Sequence, residues 1–199
     1  MKIALTGGIG SGKSFICRKL EERGIKVYDC DAGAKRLMRN SDVIVRQLTA
    51  LIGKDAYVDG LPNKARIAEF LLQSESNKLA INHIVHPAVI QDFYSSGLDW
   101  MESAILFEAH LEHTVDKIVC VVAPEDVRVE RIMARDSISH DRAVGWIRAQ
   151  LPQDEAAMRS HYVINNDGIA DTDSQITAVL EALNGSCETG KAKESHNKN

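Results

Sequence analysis

The segment Gly7-Gly8-Ile9-Gly10-Ser11-Gly12-Lys13-Ser14 constrains this chain more than any other. It matches G-x-x-x-x-G-K-[ST] in full, and each residue type has a physical reason. Glycines let the backbone turn through positive φ and approach a ligand closely. Successive N–H groups then line a concavity that suits an anion. The following helix adds the positive end of its dipole. Lys13 is placed to reach the β- and γ-phosphates of a nucleoside triphosphate, and the Ser14 hydroxyl suits Mg²⁺. The loop from Gly8 to Ser14 is the expected triphosphate site. Phe15 adds a further backbone N–H, with its side chain expected to pack inward.

The flanking pattern suits such a loop. Lys2 to Thr6 is a short apolar run that reads as a buried strand. Gly12 to Arg23 carries Ile16 and Leu20 four apart and stops at Gly24, which reads as a helix. Ile25 to Tyr28 is a second strand, so the opening is a βαβ unit with parallel pairing. Ala32 to Ile52 reads as one helix closed by Gly53. Asp59-Gly60 and Pro62 mark a turn. Asn63 to Tyr94 reads as helical with a break before Pro87, and no strand is expected between Leu61 and Asp99. Ser103 to Phe107 and Val115 to Val122 read as strands, the second apolar on both faces. Pro124 opens a helix to about Arg135, and Ser139-His140-Asp141 opens another to about Gln150. Tyr162 to Ile164 is a last strand, followed by the turn Asn165-Asn166-Asp167-Gly168. Ile176, Val179, Leu180 and Leu183 share one face of a final helix.

The fold class this predicts is α/β: a three-layer P-loop kinase core with a parallel sheet, a helical substrate-binding insertion and a helical lid. A single domain should span 1–184. Its core covers about 1–58, 100–123 and 160–184, its insertion about 60–99 and its lid about 125–150. Residues 185–199 are polar and expected to be disordered.

The 199 residues suffice for one good core. The net charge of −4 gives no basic excess to hold a polynucleotide, so no nucleic-acid partner is expected. No apolar run nears the roughly 20 residues of a membrane helix, and Gly7 and Gly8 interrupt the apolar start before a signal-peptide core could form. Cys17, Cys30, Cys120 and Cys187 are scattered, which reads as reduced thiols in a cytoplasmic protein, with no zinc site expected.

The loop fixes a triphosphate but not a reaction. GTP-binding switches need D-x-x-G and N-K-x-D, and neither occurs. A small-molecule kinase needs a carboxylate for the acceptor hydroxyl and cations for the moving phosphoryl group. Asp29 and Asp31 end the second strand, where ligands of parallel sheets collect. Period-2 spacing puts them on one side if the strand continues that far, and either could instead cap the next helix. Arg128, Arg131 and Arg135 share one helical face, with Arg142 and Arg148 in the next helix. They suit a phosphate clamp, or a solvated face paired with Glu125, Asp126, Glu130 and Asp136.

These residues resemble those of the dephospho-CoA kinase family over roughly 1–183. The phosphate loop with its leading Thr6, the pair Asp29-Cys30-Asp31, Val85-His86-Pro87, Leu106-Phe107-Glu108, the run from Arg131 to Asp136, and Val163 to Gly168 are similar to that family's motifs in order. The resemblance implies that ATP phosphorylates the ribose 3′-hydroxyl of dephospho-CoA. Asp31 would be the base, with Lys13 and Arg131 also catalytic. Gly8, Ile9, Gly10, Ser11, Gly12, Lys13, Ser14, Phe15, Arg135 and Asn166 would bind the nucleotide, with Mg²⁺ on Ser14. Asp29, Lys35, His86 and Glu108 would contact the acceptor, Glu108 alternatively orienting water around Mg²⁺. Lys35, Ile90, Ala104 and Trp146 depart from the family pattern. The chain is expected to act as a monomer or weak homo-oligomer. The alternatives are another P-loop kinase acting on a nucleoside, nucleotide or small hydroxyl metabolite, and a nucleotide-binding protein that transfers nothing.

Overall fold

The computed structural model describes the backbone of residues 1–194 and the side chains of residues 1–185. Strand β1 (Ile3–Thr6) lies at the centre of a five-stranded sheet with β2 (Val27–Asp29), β5 (Trp100–Glu102), β6 (Lys117–Val122) and β7 (Tyr162–Asn165). The order is β2-β5-β1-β6-β7 and every pair is parallel.

Period-2 alternation divides the sheet's two faces. Ile3 and Leu5 of β1 join Val119 and Val121 of β6 on one face. They pack on Ile16 and Leu20 of α1 (Lys13–Glu22) and on Ile176, Val179 and Leu183 of α9 (Thr172–Glu194). Ala4, Met101, Ile118 and Cys120 lie on the other face. There they meet α3 (Asp42–Ile52) through Ile44 and Leu48, and α5 (Glu75–Ser95) through Val85, Val89 and Phe93. This is the expected three-layer α/β architecture. From β1 the chain goes to one side for β2 and β5, then to the other for β6 and β7. That reversal opens a crevice beyond the carboxyl end of β1, where the phosphate loop sits.

Several expected boundaries move. The stretch read as one helix from Ala32 is two, α2 (Cys30–Asn40) and α3, because Ser41 caps the second by accepting the Ile44 N–H at 3.4 Å. The break in the insertion falls at Ser74, between α4 (Lys64–Gln73) and α5, and not before Pro87. Pro87 lies inside α5. A proline there removes one helical hydrogen bond, and burial of Val85, Val89, Ile90 and Phe93 on the same helix outweighs that loss. Asp59 and Gly60 both have positive φ, and they join a small antiparallel hairpin, β3 (Tyr57–Val58) and β4 (Leu61–Pro62), where no strand was expected.

The strand expected at Ser103–Phe107 is instead β5, three residues upstream, and the chain after β5 forms a turn that buries Leu106 and Phe107. The apolar run marked that tightly packed turn, while the strand itself ends on a charge, Glu102. The helix α8 (Gln153–Met158) had no sequence signal. Helix α9 continues past Gly185, so the expected disorder does not begin there, and residues 195–199 lie outside those described.

The lid consists of α6 (Glu125–Asp136) and α7 (His140–Arg148). Val129, Ile132, Ala143 and Ile147 form a small core of its own, into which Ile9 of the phosphate loop packs.

Candidate active site

The chain leaves β1 at Thr6 and turns over residues 7–12 before α1 begins at Lys13. Gly10 (φ 79°) and Gly12 (φ 93°) supply the left-handed turns. Space demands glycine as well, because a Cβ on Gly12 would lie 2.1 Å from Nδ2 of Asn166. The rest of the loop is held from distant parts of the chain. Asn166 Nδ2 donates to the Ser11 carbonyl at 2.8 Å. Arg128 Nε donates to the Ile9 carbonyl at 2.9 Å, and Arg131 Nη1 lies 3.4 Å from the carbonyls of Gly10 and Ser11. The Ile9 N–H donates to Oε1 of Gln150 at 2.6 Å.

Lys13 is almost fully buried. Its Nζ donates to the carbonyls of Gly7 (2.8 Å) and Gly8 (3.3 Å) and lies 3.9 Å from the Glu102 carboxylate. Burial holds the ammonium below its ordinary pKa, while Glu102 and Asp31 oppose that shift. Burial likewise raises the Glu102 carboxyl, with Lys13 opposing and Asp29 and Asp31 adding to the rise. Register explains the cluster. Asp29 and Glu102 are Cα partners at the ends of β2 and β5, and Asp31 lies in the first turn of α2. The strand stops at Asp29, so period-2 spacing does not reach Asp31. The cap also falls to Asp29, whose Oδ1 accepts the Ala32 N–H at 2.8 Å.

One cavity of about 810 Å³ gathers most of the expected residues: Gly10, Gly12, Lys13, Ser14, Asp29, Asp31, Lys35, Arg131, Arg135 and Asn166. Phe15 also lines it, but its ring is exposed, with Lys19 Nζ 5.2 Å from the centroid, and does not pack inward. The first helical turn of α1 points this residue out of the core, which Ile16 and Leu20 fill. Arg128 is buried and bonded to backbone, so it shapes the loop. Arg142 stacks over Trp146 on exposed α7, and neither it nor Arg148 lines the cavity.

His86 and Glu108 belong elsewhere. They line a second cavity of about 490 Å³, with His83, His110 and His113. Oε1 of Glu108 accepts the Leu151 N–H at 3.0 Å. Sequence reasoning missed Glu102, Gln150 and Arg18 in the first cavity. Correct placement of β5 would have found Glu102 from its register with Asp29. Gln150 carries no local pattern, since only the fold brings it to Ile9.

A phosphate loop at the switch point of a parallel sheet, facing a carboxylate cluster under an arginine-bearing lid, defines a P-loop kinase of small molecules. Similarity to known proteins narrows that class. The family model for dephospho-CoA kinase matches residues 1–172. A dephospho-CoA kinase from Bacteroides fragilis is 38% identical over 190 residues, covering 92% of this chain and 93% of the relative. A Thermus thermophilus protein of known crystal structure is 30% identical, with a TM-score of 0.80 over 92% of this chain and 97% of that one. Shikimate kinase from Bacteroides thetaiotaomicron, 14% identical, shares the fold with a TM-score of 0.58 over 92% and 98% of the two chains. The chain belongs to the dephospho-CoA kinase family.

Proposed function

We propose that this chain transfers the γ-phosphoryl group of ATP to the ribose 3′-hydroxyl of dephospho-CoA, with Asp31 as the base. The observation that carries this reading is that Asp31 and Lys13 line one cavity, close enough for the carboxylate to act on the ammonium's titration. The backbone amides of the loop and Lys13 hold the triphosphate. Asp31 accepts or orients the hydroxyl proton. Arg131, already beside the Gly10 and Ser11 carbonyls, and Arg135 at the cavity wall stabilise charge on the transferring group. Asp29 and Lys35 lie on the same wall, where an acceptor would lie. His86 extends the acceptor surface into the second cavity.

The donor set suits Mg²⁺. Ser14, Asp29, Asp31 and Glu102 offer oxygen ligands only, which fits a hard cation. Among the described residues no three His, Cys, Asp or Glu side chains are grouped to hold a metal. An ion held largely by phosphate and water through Ser14 accords with that sparse protein share. When bound, it would neutralise developing phosphate charge.

Among the described residues no helix is long and apolar enough to cross a membrane. The free thiols of Cys17, Cys30 and Cys120 fit a reducing, cytoplasmic compartment. Burial pushes those of Cys17 and Cys30 up to about 12, which keeps them unreactive.

The test is ATP consumption with dephospho-CoA beside nucleosides, nucleotides and shikimate- or gluconate-like acceptors. Dephospho-CoA should be turned over fastest, and Asp31→Asn should lose at least about 100-fold in kcat with an unchanged melting temperature. Near-normal turnover by Asp31→Asn would remove the base assignment.

A further inference from the structure

We propose that residues 150–153 form a strap that seats the phosphate loop, with Gln150 as the positioning residue for nucleotide binding and Glu108 as its brace. The strap comes after the lid helix α7 and is tied at three points. Gln150 Oε1 accepts the Ile9 N–H at 2.6 Å, across 141 residues of chain. The Leu151 N–H donates to Glu108 Oε1 at 3.0 Å. Oε1 of Gln153 accepts the Ala123 N–H at 3.0 Å, just beyond β6. The last two bonds fix the strap's position against the turn after β5 and the carboxyl end of β6. From that base Gln150 reaches the loop.

At the loop, the strap and the lid divide one residue between them. Gln150 takes the Ile9 N–H, Arg128 of α6 takes the Ile9 carbonyl at 2.9 Å, and the Ile9 side chain enters the lid core. With its N–H and carbonyl both satisfied by side chains, Ile9 has little left to offer a triphosphate. Its job is to hold the turn, so that the amides from Gly10 onward line the concavity. A peptide in this position can rotate unless its polar groups have fixed partners. The neutral amide of Gln150 suits the task, because a carboxylate at that place would repel the triphosphate. Glu108 thus acts from outside the nucleotide cavity and through another residue. This differs from the direct acceptor contact its sequence motif implied.

The inference rests on the reading that this loop binds ATP, but its test needs no acceptor and no turnover. ATP is titrated calorimetrically into wild type, Gln150→Ala and Glu108→Ala, and exchange of the Ile9 amide hydrogen is measured by NMR. Gln150→Ala should weaken ATP binding by about five- to tenfold, the worth of one hydrogen bond. The Ile9 amide should exchange faster while the melting temperature holds. Glu108→Ala should act in the same direction by about twofold, with no further loss when added to Gln150→Ala. Additive losses in the double variant would detach Glu108 from the strap and overturn its part. Unchanged ATP affinity and unchanged Ile9 exchange in Gln150→Ala would overturn the proposal. So would a loss of affinity that merely tracks a lowered melting temperature. If wild type itself binds no ATP, the functional reading fails first, and the Ile9 exchange still reports on the strap.

Discussion

The phosphate end and the helical insertion solve the same problem, a fixed ligand surface, by opposite means. Residues 7–12 have almost no regular structure, and their carbonyls and amides are held by side chains from α6, from the strap and from Asn166 after β7. The insertion is held by its own helices. Asn63 and Ser74 cap α4 and α5 from inside the segment, and Ile67, Ile81, Val85 and Phe93 bury its apolar face on the core. The loop is thus specified by polar contacts that converge from far along the chain, and the insertion by packing and local caps. Changes in the first region should damage binding and chemistry with little loss of stability. Changes in the second should do the reverse.

Lys13→Ala breaks that contrast most sharply if it destabilises the protein. It should instead cut kcat by about 10³-fold, or about 4 kcal/mol, without lowering the melting temperature, because removing a buried ammonium relieves a desolvation cost. Phe93→Ala is the counterpart. Its ring is fully buried against Tyr28, and truncation should cost about 3 to 5 kcal/mol in denaturant unfolding while ATP affinity stays within twofold. Ser74→Ala removes the cap that accepts the Asn77 N–H at 3.1 Å and should cost about 1 kcal/mol, again without touching nucleotide binding.

The smallest effect sharpens the comparison through pH. Burial, and then His83, hold His86 below its ordinary pKa of 6.5. Between that lowered value and 6.5 the unfolded chain binds more protons than the folded one. Stability therefore falls as pH drops through this window. His86→Gln should flatten that slope in melting curves between pH 7 and 5, leaving nucleotide affinity unchanged.

The same contrast explains how legible each region was. The phosphate loop is a contiguous pattern whose glycines and lysine each meet a local requirement, and the sequence placed it fully. The alternating runs of β1 and β6 were legible because both faces of the sheet are covered. Capping serines are common surface residues, so the splits at Ser41 and Ser74 hid inside longer helical patterns. Glu102 stayed hidden because β5 is short and less apolar than the turn after it. Gln150 and Arg128 were beyond reach as loop holders, since only tertiary folding brings residues so distant in sequence to Ile9. His86 and Glu108 were singled out by a motif, yet the fold sets them in a second cavity.

The resting grip of Lys13 on the Gly7 and Gly8 carbonyls has a thermodynamic consequence. The ammonium trades these partners for phosphate oxygens, so nucleotide capture is a swap and not a simple gain. A charge-assisted bond to phosphate exceeds a bond to a neutral carbonyl only by the difference between them. That margin should shrink once the terminal phosphate has left. The side chain can then return to its own backbone, which helps the spent diphosphate depart.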